Sequence, residues 1–171
     1  MNAKRWVKLG HTLGAIGLTG ALIAHLILLS VAPPPEELAA YHAIRVAIDA
    51  IARWLLLPSL TLVLTSGLAA LAAHAPFREQ RWVWAKVLLG LSMFEGTLVS
   101  VQGPAQYGAE LTGKAMAGEL SMAEMLPLLP DESDVLWVVL TLAFTNIVLA
   151  IWRPRMRFRK VQAETLSSPQ S

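Results

Sequence analysis

Two histidines lie inside the longest apolar stretch of the sequence, and they are the residues best placed to carry chemistry. Residues 6–31 contain His11 and His25 and have no charged side chain after Lys8. On an α-helix a separation of 14 residues places both rings on nearly one face, roughly 21 Å apart along the axis. Imidazole is a standard haem ligand, so this spacing is typical of a helix that supplies one axial ligand to each of two stacked haems.

Further candidate ligands lie on other apolar segments. His74 and Lys86 are predicted at the same depth as His11, so either could be the opposite ligand of a first haem. A haem buried in a membrane also needs cations beside its propionates, because unpaired charges are costly there. Arg53, Lys86 or Arg78 would supply that positive charge.

One acidic residue, Glu95, is expected within an apolar segment. Because charged groups are expensive inside a membrane, we expect it to face the interior. It would then pair with Arg53 or His25, or relay a proton.

A copper-handling site is the alternative interpretation of the same polar residues. Methionine thioethers are soft ligands that suit Cu(I), and three methionines follow the third apolar segment. Such a site would use His25, His42 and these methionines, whereas interfacial packing is the other interpretation of the methionine spacing. The methionines are Met116, Met122 and Met125, and the candidate metal-binding histidines are His11, His25, His42 and His74.

The composition indicates a membrane protein rather than a soluble one. Of 171 residues, 55% are hydrophobic and only 15% are charged, whereas a soluble domain carries about 25% charged residues. The absence of cysteine excludes disulfides, thiolate metal sites and cysteine nucleophiles. A net charge of +2 is too small to indicate a nucleic-acid partner. No nucleophilic triad, zinc-protease helix or phosphate-binding glycine loop is present.

The predicted fold class is all-α: a four-transmembrane-helix bundle in one domain, residues 1–160, with a disordered tail at 161–171. A long amphipathic extension, residues 36–50, precedes the second span, and Pro58 predicts a kink. Gly103 and Pro104 are expected to close the third span, with a polar loop at 105–134. The predicted spans are 6–31, 51–74, 82–101 and 135–152.

Positive charge predicts the orientation of these spans. Lysine and arginine concentrate before the first span, between the second and third, and after the fourth. The positive-inside rule therefore places both termini in the cytoplasm, for a protein of the bacterial inner membrane.

Glycines on the first helix allow two interpretations. Gly10, Gly14 and Gly17 form a smooth face that could admit a neighbouring helix or a flat macrocycle. In proteins, such spacing marks helix packing more often than a cofactor slot.

Three segments of the sequence resemble the CopD-like superfamily of small bacterial four-helix membrane proteins. KLGHTLGAIGLTG, residues 8–20, is similar to its opening helix. Arg53 with residues 57–70 is similar to an arginine-then-Thr-Gly helix, and RWVWAKVLLGL, residues 81–91, to the opening of a third helix. The resemblance covers about the first 100 residues.

The resemblance implies roles for two residues. The superfamily includes HemJ-type protoporphyrinogen oxidases, in which the matching histidine is thought to bind haem and the matching lysine is required; these are His11 and Lys86. HemJ-type proteins usually carry Tyr-His-Gly where this chain has Phe94-Glu95-Gly96. The resemblance therefore implies a haem-binding relative rather than that oxidase activity.

The sequence as a whole predicts an integral membrane protein that binds haem b and works in electron transfer. If it is an enzyme, it is a haem-dependent membrane oxidoreductase. A copper permease of CopD type and an accessory subunit of a membrane complex are the alternatives. The bilayer is the expected environment; the redox partner or quinone stays open, as does the choice between a homo-oligomer and a subunit of a larger complex.

Overall fold

A computed structural model describes residues 3–73 and 81–152, and every regular element in these two ranges is helical. Four of its helical segments are long and apolar enough to cross a membrane: Arg5–Ser30, Leu38–Ala73, Val83–Met116 and Met122–Leu149. This confirms the prediction of an all-α chain with four such helices. The tail predicted at 161–171 lies outside the described residues.

We number the helices in chain order, treating uninterrupted runs as one helix. These are α1, Ala3–Ser30; α2, which joins Leu38–Ile51, the π-helical turn Ala52–Leu56 and Leu57–Ala73; α3, which joins Arg81–Thr97, the π-helical turn Leu98–Gln102 and Gly103–Met116; α4, which joins Met122–Met125 and the 3-10 turn Leu126–Leu128; and α5, Ser133–Trp152.

The irregularity expected at Pro58 is a wide turn rather than a break. A proline inside an α-helix lacks an N–H, and its ring clashes with the carbonyl four residues earlier. The π-helical turn Ala52–Leu56 ends just before Pro58, and this wider turn accommodates the ring while α2 continues.

The prediction that Gly103 and Pro104 close the third span is wrong. The helix continues through them to Met116, because a second π-helical turn, Leu98–Gln102, precedes this pair in the same way. Much of the predicted polar loop is therefore helix, and it packs beside the first half of α2, the predicted amphipathic extension.

The four long helices form a ring in the order α1, α2, α3, α5, with sequence neighbours antiparallel. α1 and α2 make the most extensive pair, because the glycines of α1 face α2. A Cβ on Gly14 would lie 2.9 Å from both the Ser59 carbonyl oxygen and Val63, and one on Gly17 would overlap the Ser59 hydroxyl. These glycines therefore serve helix packing, and α2 occupies the space that a macrocycle would need.

An apolar core fills the middle of the ring and separates two polar regions. Leu18 and Leu22 of α1 pack with Ile48 of α2, Val101 of α3 and Leu136 of α5. We call the end beyond this core that contains His25, Arg45 and Glu132 the distal end. The opposite end, which contains His11, Ser66 and Lys86, is the proximal end.

Candidate functional site

A buried ionic network occupies the distal end. A guanidinium nitrogen of Arg45 donates to one Glu132 carboxylate oxygen at 2.6 Å, and Nε2 of His25 lies 2.7 Å from the other. None of the three side chains is more than 2% exposed. The network joins α1 and α2 to the start of α5, which is distant from both of them in sequence.

Backbone features of α3 and α5 make room for this network. Glu132 directly precedes α5, and its carbonyl accepts the Leu136 amide at 3.0 Å, so its carboxylate sits at the favourable end of the helix dipole. The Arg45 guanidinium also donates to the Pro104 carbonyl at 3.2 Å. It lies against Gly108, where any Cβ would overlap it. Gly108 therefore permits the arginine to reach the carboxylate.

The network fixes how the His25 ring presents its nitrogens. Because a carboxylate only accepts, Nε2 carries a proton and donates it in the hydrogen bond to Glu132, and a neutral ring then has its lone pair on Nδ1. Nδ1 is fully buried and has no hydrogen-bond partner among the described residues. A carboxylate often orients a metal-binding histidine in this way. Across residues 3–73 and 81–152, however, no group of three or more His, Cys, Asp or Glu side chains is arranged to hold a metal ion.

His42 is bound to α3 rather than to the other histidines. Its Nδ1 lies 2.8 Å from the Thr112 hydroxyl, which itself donates to the Gly108 carbonyl at 2.9 Å. The hydroxyl therefore accepts from the ring. This bond adds a second polar link between the first half of α2 and α3.

The proximal end positions His11 through α2. Its Nδ1 lies 3.1 Å from the Val63 carbonyl oxygen and 3.1 Å from the Ser66 hydroxyl. Since a carbonyl oxygen only accepts, Nδ1 carries the proton and Nε2 has the lone pair. Nε2 has no hydrogen-bond partner in the described part of the chain, and the ring is half-buried, with its Cε1 3.6 Å from where a Cβ on Gly67 would lie.

Lys86 shares this end of the bundle. Its ammonium donates to the Asn146 carbonyl of α5 at 3.0 Å. Leu64, two residues before the Ser66 that contacts His11, packs against Gly90, one turn after Lys86, so Lys86 and His11 lie at a similar level. The structure therefore brings together two of the three residues predicted at this depth. The third, His74, lies outside the described residues, as does Arg78.

The predicted pairing of Glu95 is wrong. Its side chain is exposed on the outward face of α3, while His25 pairs with Glu132 and Arg53 lies 3.4 Å from Asp49, one turn away on the same helix. The Arg53 side chain is 48% exposed. Neither charged residue faces the apolar core, to which α2 contributes Ala52 and Leu56 and α3 contributes Met93.

The three methionines differ in their surroundings. Met125 is fully buried, Met122 is partly buried, and Met116 at the end of α3 is 49% exposed. Met125 therefore contributes to packing, as one of the two interpretations predicted.

Two members of the distal network do not stand out in the sequence. Arg45 lies in the polar pattern of an amphipathic segment, and Glu132 lies in what the sequence predicts to be an acidic loop. The available signal is positional: Glu132 stands next to an apolar helix, where its charge complements the helix dipole. A buried carboxylate there requires a cation, and Arg45 is on the polar face of α2.

No family model, curated protein or solved structure matches the chain.

Proposed function

We propose that the chain is a multi-pass protein of the bacterial inner membrane, with both termini cytoplasmic, that binds haem b at its proximal end and transfers electrons. The observation that carries this proposal is the hydrogen bonding of His11. Its ring is held by α2 through Nδ1, and Nε2 keeps its lone pair.

A histidine that binds iron is commonly oriented in this manner. The nitrogen that does not bind the metal donates to a backbone carbonyl or a carboxylate, which fixes the ring and selects the other nitrogen as ligand. Val63 supplies that carbonyl, and the 3.1 Å contact with Ser66 restrains the same nitrogen. Nε2 of His11 is therefore the nitrogen that would bind the iron, with both Nδ1 contacts kept.

Lys86 supports the assignment by its charge and position. As the axial ligand opposite His11, or as the cation beside a propionate, it would exchange its bond to Asn146 for a bond to the cofactor. His74 is the other candidate for the opposite ligand. When bound, haem supplies one-electron redox chemistry, and the chain contributes ligands, charge and a dry environment.

Other features favour the same site. The resemblance to the CopD-like superfamily points to His11 and Lys86, and the distribution of positive charge favours a cytoplasmic position for the proximal end. Four helices that are long and apolar enough to cross a membrane fit a multi-pass protein.

The proposal assigns one haem, not two. At the distal end, Nε2 of His25 is already bonded to Glu132. The other ring nitrogen, Nδ1, is fully buried, and it adjoins the ring carbon that is attached to Cβ. A macrocycle there would have to displace both Glu132 and the surrounding core. We therefore assign His25 to the structural network, and this also leaves the copper alternative without its central ligand.

The experiment is the visible spectrum of detergent-purified protein before and after dithionite. We expect a Soret band with sharp reduced α and β bands, and we expect His11→Ala to lose them or to lose bound haem. His42→Ala is the matched control, because His42 is also half-buried and bonded through Nδ1. Colourless protein from haem-replete cells, or an unchanged spectrum in His11→Ala, would contradict the proposal.

A further inference from the structure

The outward face of α3 carries an acidic residue among apolar side chains. Leu88, Leu91 and Val99 are 67%, 47% and 70% exposed, and with Glu95 they recur at spacings of three and four along one stripe of the helix. Glu95 has no hydrogen bond or ion pair among the described residues. In its most apolar stretch of 18 residues, only 17% of α3 is buried inside the chain, against 22–28% for the other three membrane-length segments.

A carboxylate in this position needs a partner from outside the chain. Glu95 lies far from both ends of Val83–Met116, so it would lie well inside the hydrocarbon of a membrane. Ionisable groups at such depth pair with one another or line a cavity, because exposure to lipid is costly. No side chain described here supplies that pairing within one copy.

Arg53 offers the complementary charge at a similar level. Arg45 contacts Pro104 and Leu64 packs against Gly90, so Arg53, between the two, is level with the stretch of α3 that contains Glu95. Its side chain is 48% exposed, and its contact with Asp49 is long at 3.4 Å. At this level the outer surface of α2 and α3 thus presents an unpaired anion, Glu95, and an accessible cation, Arg53.

We propose that this surface binds a second copy of the chain, in a two-fold dimer in which Glu95 of each copy pairs with Arg53 of the other. Copies inserted in one membrane share one orientation, so a two-fold axis along the membrane normal keeps both residues at their own depths and forms the pair twice. The two charges then leave the lipid together, and Leu88 and Leu91 are covered as well. The inference rests on the membrane insertion included in the proposed function and is independent of haem.

Charge reversal tests the pairing in the full-length chain. Wild type, E95R, R53E and the double variant are reconstituted into phosphatidylcholine and phosphatidylglycerol vesicles, and subunits are counted by single-molecule photobleaching over a range of protein-to-lipid ratios. We expect the wild type to form dimers. Each single variant should associate at least about tenfold more weakly, and the double variant should recover the association of the wild type. E110R, which reverses an exposed acidic residue on the same helix, should remain dimeric.

Cross-linking locates the interface independently. The sequence contains no cysteine, so a single L91C or V99C chain should form a disulfide-linked dimer in membranes, whereas I16C, exposed on α1, should not. Monomeric wild type at every ratio would overturn the dimer and favour a different partner. Single variants as dimeric as wild type, or a double variant that stays monomeric, would overturn the pairing. Extraction of the chain by alkaline carbonate would instead refute membrane insertion.

Discussion

Breaking the distal network from one side should cost far more stability than replacing both of its charges. Arg45→Met leaves the Glu132 carboxylate with only His25, and Glu132→Gln leaves a guanidinium that is 1% exposed without an anion. Removing one partner of a buried pair costs about 3–5 kcal/mol, because the remaining charge stays desolvated. We expect each single variant to lose about that much free energy of unfolding.

The double variant, which combines Arg45→Met with Glu132→Gln, should lose less than the sum of the two. The methionine carries no charge, and the glutamine still accepts a hydrogen bond from His25. No unpaired charge then remains buried, so the loss should be about 1–2 kcal/mol. The predicted coupling between the two positions is therefore at least about 4 kcal/mol.

Equilibrium unfolding in mixed detergent micelles, followed by the fluorescence of the six tryptophans and by circular dichroism, measures these differences. Lys114→Met is the control: it removes an exposed cation of α3 that lies outside the distal network, and should cost under about 1 kcal/mol. If the Arg45 and Glu132 variants behave like this control, or if their losses simply add, the reasoning is refuted.

Three further predictions concern packing and the link between α2 and α3. Gly108→Ala should cost about 1–3 kcal/mol of unfolding free energy, because the new Cβ displaces the Arg45 guanidinium. Gly96→Ala is the control and should not destabilise the protein, because no atom lies within 4 Å of its new Cβ. Thermal unfolding compares the two variants, and equal losses would contradict the contact between Gly108 and Arg45. Gly14→Leu should separate α1 from α2 and lower stability by a similar amount or more, with Gly20→Leu as its control. Unchanged stability in Gly14→Leu would be inconsistent with the 2.9 Å between a Cβ at this position and the Ser59 carbonyl oxygen. Thr112→Val should cost about 1 kcal/mol through the lost His42 bond and leave any haem spectrum unchanged; a spectral shift would place His42 near the cofactor.

The helices were predictable because apolar length and charge distribution are properties of single segments. The first helix and its packing face followed from the spacing of Gly10, Gly14 and Gly17. The end of α3 was not predictable in this way. Gly103 and Pro104 ordinarily stop a helix, and no residue pattern in the sequence predicts the π-helical turn, Leu98–Gln102, that accommodates them.

For a related reason, the sequence predicts the depth of the candidate site residues but not the partners of the buried charges. Depth along a helix follows from residue number, so the sequence predicts His11 and Lys86 at one level, and both lie at the proximal end of the bundle. The partners of buried charges depend on which faces meet. Glu132 is 107 residues from His25 in sequence, and only the ring of helices brings them into contact.

The most direct test of the proposed function is the number of haems bound per chain, measured by pyridine extraction of protein purified from haem-replete cells. At the proximal end the structure orients His11 through Nδ1 and leaves its Nε2 without a partner among the described residues, whereas at the distal end Nε2 of His25 is bonded to Glu132. We predict one haem b per chain. Two haems per chain would contradict the assignment of His25 to a structural network, and none would contradict the proposed function itself.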